Sequence, residues 1–242
     1  MTCRVTAARP PLTLHGSKMD WPAQCAVVIP CLNEATAVET IVRQTREYLP
    51  TVIVVDDGSS DGTGERATQA GADVLRHEEP QGKGAALQAG LKCARERGFT
   101  WAMTLDGDGQ HSPEDIPAFL QHAGCTGPAL VIGNRMADAS RMPWLRRQVN
   151  RWMSRRLSRL AGRVLPDTQC GFRLFRLDAW SQLSITTQHF EIESEMLLAF
   201  VEAGHRVEFI PIRVIYKAEQ SKIHPWRDTL RWFRWLRTTR TG

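Results

Sequence analysis

The chain has 242 residues, 42% of them hydrophobic and 24% charged, with a net charge of +5. That suits one large globular domain, or a domain with an appendage, and excludes disordered and collagen-like classes. Six cysteines (Cys3, Cys25, Cys31, Cys93, Cys125, Cys170) form no CxxC pair. They therefore fit a reduced compartment rather than a disulfide framework or a zinc site.

Residues 1–22, with Pro10, Pro11 and Pro22, read as an irregular lead-in without the apolar core of a secretory signal. Cys25 to Ile29 is a short, wholly apolar run, the mark of a buried parallel strand. Pro30 to Glu34 follows as a loop, and Ala35 to Tyr48 has helical periodicity through Val38, Ile41, Val42 and Thr45. Val52 to Val55 predicts a second strand, followed by an Asp/Gly/Ser loop in which Asp61 caps a helix to about Ala70. Ala72 to Leu75 is a third strand, and Gln81 to Gly84 opens a long helix ending near Arg97. Trp101 to Leu105 is the next strand, then a DGDGQ turn, a helix from Pro113 to His122 and a strand from Leu130 to Gly133. This alternation predicts an α/β fold with a mostly parallel sheet and helices on both faces.

The later chain differs. Trp144 to Leu165 reads as a helix with Trp144, Leu145, Val149, Trp152, Met153, Leu157, Leu160 and Ala161 on one face. Asp167 to Arg173 leads into a short strand or turn at Phe175. A helix through Glu191, Glu193 and Glu195 runs to about Ala203, Val207 to Tyr216 alternates as a strand, and His224 to Arg240 is a basic helix rich in tryptophan. Residues 141–165 carry eight arginines and no acid, and residues 221–242 carry a net +5, leaving −8 for the remainder. Such segregation suggests an anionic partner for the later chain. No apolar run approaches the roughly 18 residues that cross a bilayer. The expected location is cytoplasmic, peripheral on the inner face of a membrane where one is involved.

The DGDGQ turn carries the clearest chemistry. Asp106 and Asp108 stand at the carboxyl end of a strand, where open α/β sheets bind ligands. Gly107 lets the backbone bend so that both carboxylates face one cation. Oxygen donors suit Mg²⁺ or Mn²⁺, which keep waters and bridge to substrate phosphates. Glu34 and Asp57 follow other strand ends and are placed to accept hydrogen bonds from a base or ribose. Lys83, at a helix start, is placed to offset phosphate charge. No GxGxxG follows the first strand, and GKG at 82–84 lacks the spacing and hydroxyl of a phosphate-binding P-loop.

Taken in order, VVIPCLNE (27–34), VVDDGSSDGT (54–63), GKGAAL (82–87), LDGDGQH (105–111), PEDIP (113–117), GNR (133–135), DTQCGFRLFR (167–176), FEIESEML (190–197) and QSKI (220–223) resemble glycosyltransferase family 2. The resemblance is to its dolichol-phosphate mannosyltransferase and bacterial polyprenyl-phosphate glycosyltransferase branch. It implies a GT-A fold and inverting transfer from a nucleotide-diphosphate sugar, GDP- or UDP-linked. By position it implies that Pro30, Leu32 and Glu34 line the nucleotide pocket, with Val55 and Asp57 near the base and ribose. Asp106, Asp108 and Gln110 would hold the metal, and Arg135 and Arg173 would contact phosphates. Glu193 stands near the family's catalytic carboxylate, serving as base if the acceptor is a hydroxyl. Lys222 matches a late lysine facing the site.

The implied layout is a transferase domain over 23–220, with a nucleotide-sugar half to about 135 and an acceptor half after it, then a C-terminal amphipathic helix over 221–242. Relatives often carry C-terminal transmembrane helices; here tryptophans and arginines suggest a helix that lies on an anionic membrane or packs on the domain. The expected acceptor is a lipid phosphate or glycolipid, with a carrier-bound hydroxyl as the alternative and a non-catalytic nucleotide-sugar-binding protein as the different class. A nucleotidyltransferase is disfavoured because PCLNE replaces its glycine- and arginine-rich loop. No nucleic-acid-binding module accompanies the basic charge.

Overall fold

Apolar runs too short for helices and buried on both faces become the central strands. The computed structural model describes residues 19–140, 142–215 and 225–238. In chain order the elements are α1 (Trp21–Gln24), β1 (Cys25–Cys31), α2 (Val38–Arg46), β2 (Val52–Asp56), α3 (Thr63–Gln69), β3 (Asp73–Arg76), α4 (Lys83–Glu96) and β4 (Trp101–Thr104). A 3-10 turn at Pro113–Asp115 leads into α5 (Ile116–Thr126) and β5 (Leu130–Asn134). Then come α6 (Trp144–Leu160), β6 (Arg173–Arg176), α7 (Leu177–Trp180), α8 (Ile192–Glu202), β7 (Val207–Pro211) and α9 (Pro225–Thr238).

Among the described residues seven strands form one sheet in the order β3-β2-β1-β4-β6-β5-β7. Only β6 runs against its neighbours, pairing antiparallel with β4 and β5. Every residue of β1, β2 and β4 is buried, so both sheet faces are covered there. Strand order reverses between β1 and β4, which makes their carboxyl ends the crevice of the fold. α4 lies so close to the sheet that a Cβ at Gly90 would meet the Val28 side chain at 2.3 Å.

Several elements depart from expectation for physical reasons. β1 continues through Pro30 to Cys31, pairing Pro30 with Val55 and Cys31 with Asp56. The missing N–H of Pro30 falls on the β4 side, beyond the last pair of that ladder, Val28 with Thr104. α6 stops at Leu160 rather than Leu165 because Gly162 turns left-handed, at φ +62°. β7 ends at Pro211, and Val214 makes only an isolated bridge to His111.

The apolar positions of α6 do not share one buried face. Met153 and Leu157 point inward with Asn150 and Ser154, whereas Trp144, Leu145, Val149, Trp152 and Leu160 are exposed. α9 forms as expected and packs on the domain through buried Trp232 and Leu236. The Trp232 indole N–H donates to Ser194 Oγ at 2.9 Å, and its ring meets Trp152 edge-on. No helix among the described residues is long and apolar enough to cross a membrane.

Candidate active site

The crevice is assembled from strand ends, and short polar links fix them to one another. After β1 the backbone turns at Asn33, which takes a positive φ of 53°, a conformation asparagine tolerates. Asn33 N–H donates to Ser59 Oγ, Glu34 N–H to Thr63 Oγ1 and Ala35 N–H to Asp61. The loops after β1 and β2 are thereby stitched together. Asp61 also accepts from the Thr63 hydroxyl and backbone N–H; burial would raise its carboxyl, but these bonds, the hydroxyl first, and the Ala35 N–H hold it below the usual range.

Asp57 sits at the end of β2 and is buried. Its carboxylate accepts from the backbone N–H groups of Gln81 and Gly82 at 2.9 and 2.8 Å, and lies 2.7 Å from His77 Nδ1. It thus anchors the start of α4, the element that carries Lys83. Pro30 is buried in β1, while Leu32 is 37% exposed in the loop beyond it. Val55 is wholly buried in β2 and offers no side-chain surface to a ligand, so its place near a base is as backing for the strand end.

At the carboxyl end of β4, Gly107 is required by close packing. A Cβ there would meet Cys31 Sγ at 2.6 Å and the Glu34 side chain at 3.3 Å. Gly171 has the same role on the other side, where a Cβ would meet Asp106 Oδ1 at 2.5 Å. Asp106 is therefore clamped between two loops, and Thr104 Oγ donates to the Gly171 carbonyl at 2.6 Å to hold one of them.

Lys83 Nζ lies 2.7 Å from Asp106 Oδ1 and 2.6 Å from Glu193 Oε1, joining residues from α4, the β4 turn and α8. Burial works against the ammonium, but the two carboxylates outweigh it and pull the Lys83 pKa above its ordinary value. Burial would raise the Asp106 carboxyl; the Lys83 ammonium outweighs this and holds it well below the carboxylate range. His111 accepts the Asp106 backbone N–H at Nδ1 and stays neutral because burial lowers its pKa. Asp108 is partly exposed and caps its own turn, accepting the Gln110 N–H at 2.9 Å. Gln110 Oε1 accepts from Arg146 of α6 at 3.1 Å.

Asp106, Asp108 and Gln110 would offer a metal oxygen donors alone, which would fit a hard divalent cation. Among the described residues no three His, Cys, Asp or Glu side chains gather into a cage. Such a set suits an ion that takes its remaining ligands from phosphate and water.

Two arginines expected at phosphates are placed otherwise. Arg173 is 1% exposed, and its guanidinium donates to the carbonyls of Cys170, Glu193 and Thr168. Its donors brace the start of α8 and the loop before β6, so it positions Glu193 and Gly171 rather than reaching a ligand. Arg135 is buried with its fork filled by Asp167, at 2.8 Å to each carboxylate oxygen. Lys222 lies outside the described residues. His77, His111, Arg146 and Asp167 were not singled out from sequence; His111 and Asp167 nevertheless lie inside the blocks LDGDGQH and DTQCGFRLFR.

Comparison with known proteins shows the family and the fold. The sequence model described as Glycosyl transferase family 2 matches residues 26–183. Uncharacterized protein MJ1222 of Methanocaldococcus jannaschii is 32% identical over 196 residues, 78% of this chain and 81% of that protein. The undecaprenyl-phosphate mannosyltransferase of Micrococcus luteus is 30% identical over 202 residues, 78% of this chain and 82% of its own length. Glucosyl-3-phosphoglycerate synthase from Mycobacterium tuberculosis, solved with Mg²⁺ and UDP, superposes with a TM-score of 0.66 at 19% identity. That alignment covers 87% of this chain and 75% of the other and establishes the shared GT-A fold.

Proposed function

The chain belongs to glycosyltransferase family 2, and we propose that it transfers a sugar from a GDP- or UDP-linked donor to a lipid phosphate of the polyprenyl type. The observation that carries this reading is Lys83 set between Asp106 and Glu193 at the switch point of the sheet. Residues 23–135 supply the donor half and 136–220 the acceptor half. Glu34, Leu32 and Asp57 border the nucleotide, with Pro30 and Val55 behind them. Asp106, Asp108 and Gln110 would hold Mg²⁺ or Mn²⁺, which would offset charge on a nucleotide diphosphate leaving group without a protonating acid. Lys83 adds a fixed positive charge beside the same carboxylates. Arg135 and Arg173 keep the acceptor-side loops in register, and on the family pattern Lys222 is the late lysine that faces the site.

Inversion requires in-line attack on the anomeric carbon. A phosphate acceptor is already anionic near neutral pH and needs little help from a base. On this reading Glu193 orients Lys83 and shapes the acceptor side. A lipid acceptor places the work at a membrane surface, and the arginines of α9 favour an anionic one. The undecaprenyl-phosphate mannosyltransferase relative supports the choice of acceptor. The second reading, a hydroxyl acceptor, draws on the same buried Glu193 carboxylate as a base.

Glu193→Gln separates the two. With a lipid-phosphate acceptor, kcat should fall less than about tenfold, whereas loss of a general base costs about 10²–10⁴-fold. Initial rates measured with polyprenyl phosphate and with a glycolipid hydroxyl decide between them. A collapse of transfer to the phosphate acceptor would contradict the lesser role given to Glu193.

A further inference from the structure

α6 carries apolar side chains on both of its sides. Met153 and Leu157 point inward with Asn150 and Ser154, while Trp144 is 65% and Leu145 66% exposed on the outer side, with Val149 at 40% and Trp152 at 45%. At about 100° per residue these outward side chains share one broad face, and Arg155, Arg156 and Arg159 fall within the same arc. No acid occurs anywhere in the helix. Scattered exposed apolar residues need no explanation, but a contiguous set with two tryptophans does.

Beside this face, between α6 and α9, lies a groove of about 490 Å³. Trp152 and Phe233 line it together with Arg155, Arg156, Arg159 and Arg237, and among the described residues no carboxylate does. Tryptophan and leucine amid arginines on one face is the composition of a helix that lies in a membrane interface. Guanidinium forks match phosphate oxygens, and an aromatic wall accepts the adjoining apolar segment. A second copy of this chain is a poor occupant, since it would bring the same arginines against these.

We propose that the outward face of α6 docks on an anionic phospholipid bilayer, with the α6–α9 groove taking a head-group phosphate. For α9 the sequence leaves two readings, a helix on an anionic membrane or one packed on the domain; α9 buries Trp232 and Leu236 and contributes a wall of the groove. The surface is coupled to the candidate active site, because Arg146 in the same helix donates to Gln110 of the DGDGQ turn. Docking therefore sets that turn at the bilayer surface. The proposal does not rest on the lipid-phosphate reading, since an enzyme with a hydroxyl acceptor on a membrane glycolipid can use the same face.

The test is co-sedimentation of the full chain with vesicles of phosphatidylcholine and phosphatidylglycerol, and with phosphatidylcholine alone. The protein should pellet with the anionic vesicles, less so as salt rises, and little with the neutral ones. Trp144→Glu combined with Leu145→Glu should weaken binding by more than about tenfold while thermal stabilisation by nucleotide donor and Mn²⁺ is kept. Arg155→Gln combined with Arg159→Gln should weaken it by about fivefold per arginine. Equal pelleting with neutral vesicles, no pelleting with either, or a dimer in solution that covers the face would overturn the proposal. If the double glutamate variant does not fold, the arginine pair decides, and wild-type affinity in that pair overturns it. Vesicle binding is read without any sugar transfer, so its failure and that of the transferase reading are distinguishable.

Discussion

Asp108→Ala should remove metal-dependent stabilisation by the nucleotide donor and lower sugar transfer by about a thousandfold or more. The size follows from the several kcal/mol that a bound divalent cation supplies to a departing diphosphate. Asp108 is a clean place to test it. It is partly exposed, and its carboxylate accepts the Gln110 N–H within its own turn. The apoprotein should therefore melt within about 1 kcal/mol of wild type. Asp106→Ala is less clean, because it also strips a partner from buried Lys83. The check is a pair of melts for each protein, with donor and with or without Mn²⁺, beside initial rates. A donor-and-metal shift in Asp108→Ala equal to that of wild type would remove the DGDG turn from the metal site.

The largest effect on folding is expected at Asp167. Its carboxylate is wholly buried and takes both arms of the Arg135 fork and the Arg135 backbone N–H. Asp167→Asn keeps the shape but leaves a buried guanidinium without its counter-charge, which costs about 3–5 kcal/mol. Burial alone would raise the Asp167 pKa, but Arg135 outweighs it, so the folded value lies below the unfolded one. The sign follows. The pair stabilises fully above the unfolded carboxylate range, near 4, and that contribution fades as pH falls toward the folded value. Urea denaturation at neutral pH should show the full loss, and the gap between variant and wild type should narrow in acid. A gap that widens in acid, or none at neutral pH, would contradict this account. Transfer should fall as well, since the loop begun by Asp167 carries Gly171 against Asp106.

What could be read from sequence divides along physical lines. Strand runs such as Val52 to Val55 and the helix stripe Val38, Ile41, Val42 and Thr45 report their own burial, because periodicity is local. The DGDG turn and Lys83 were legible because polar residues after strand ends in a parallel sheet must meet at one edge. Arg173 and Arg135 were not. An arginine after a strand looks the same whether it reaches solvent or a buried carbonyl, and its partners come from distant segments. The link from Lys83 to Glu193 is likewise tertiary, made only when the segment before α8 meets the start of α4, where the Gln188 carbonyl accepts the Gly84 N–H. For α6 the pattern named a stripe of apolar residues but not its direction. Direction was settled by packing, with small polar Asn150 and Ser154 inside and Ser154 meeting Thr168 at 3.3 Å.

The central claim is transfer from a nucleotide sugar to a lipid phosphate. It is tested most directly by incubating the full chain with radiolabelled GDP-mannose, UDP-glucose or UDP-N-acetylglucosamine, polyprenyl phosphate and Mn²⁺, then partitioning the products into organic solvent. The account predicts acid-labile label in the organic phase with one donor, absent without the lipid phosphate, without metal, and in Asp108→Ala. Label that remains aqueous with every donor, or that enters a hydroxyl acceptor while polyprenyl phosphate stays unmodified, would contradict it.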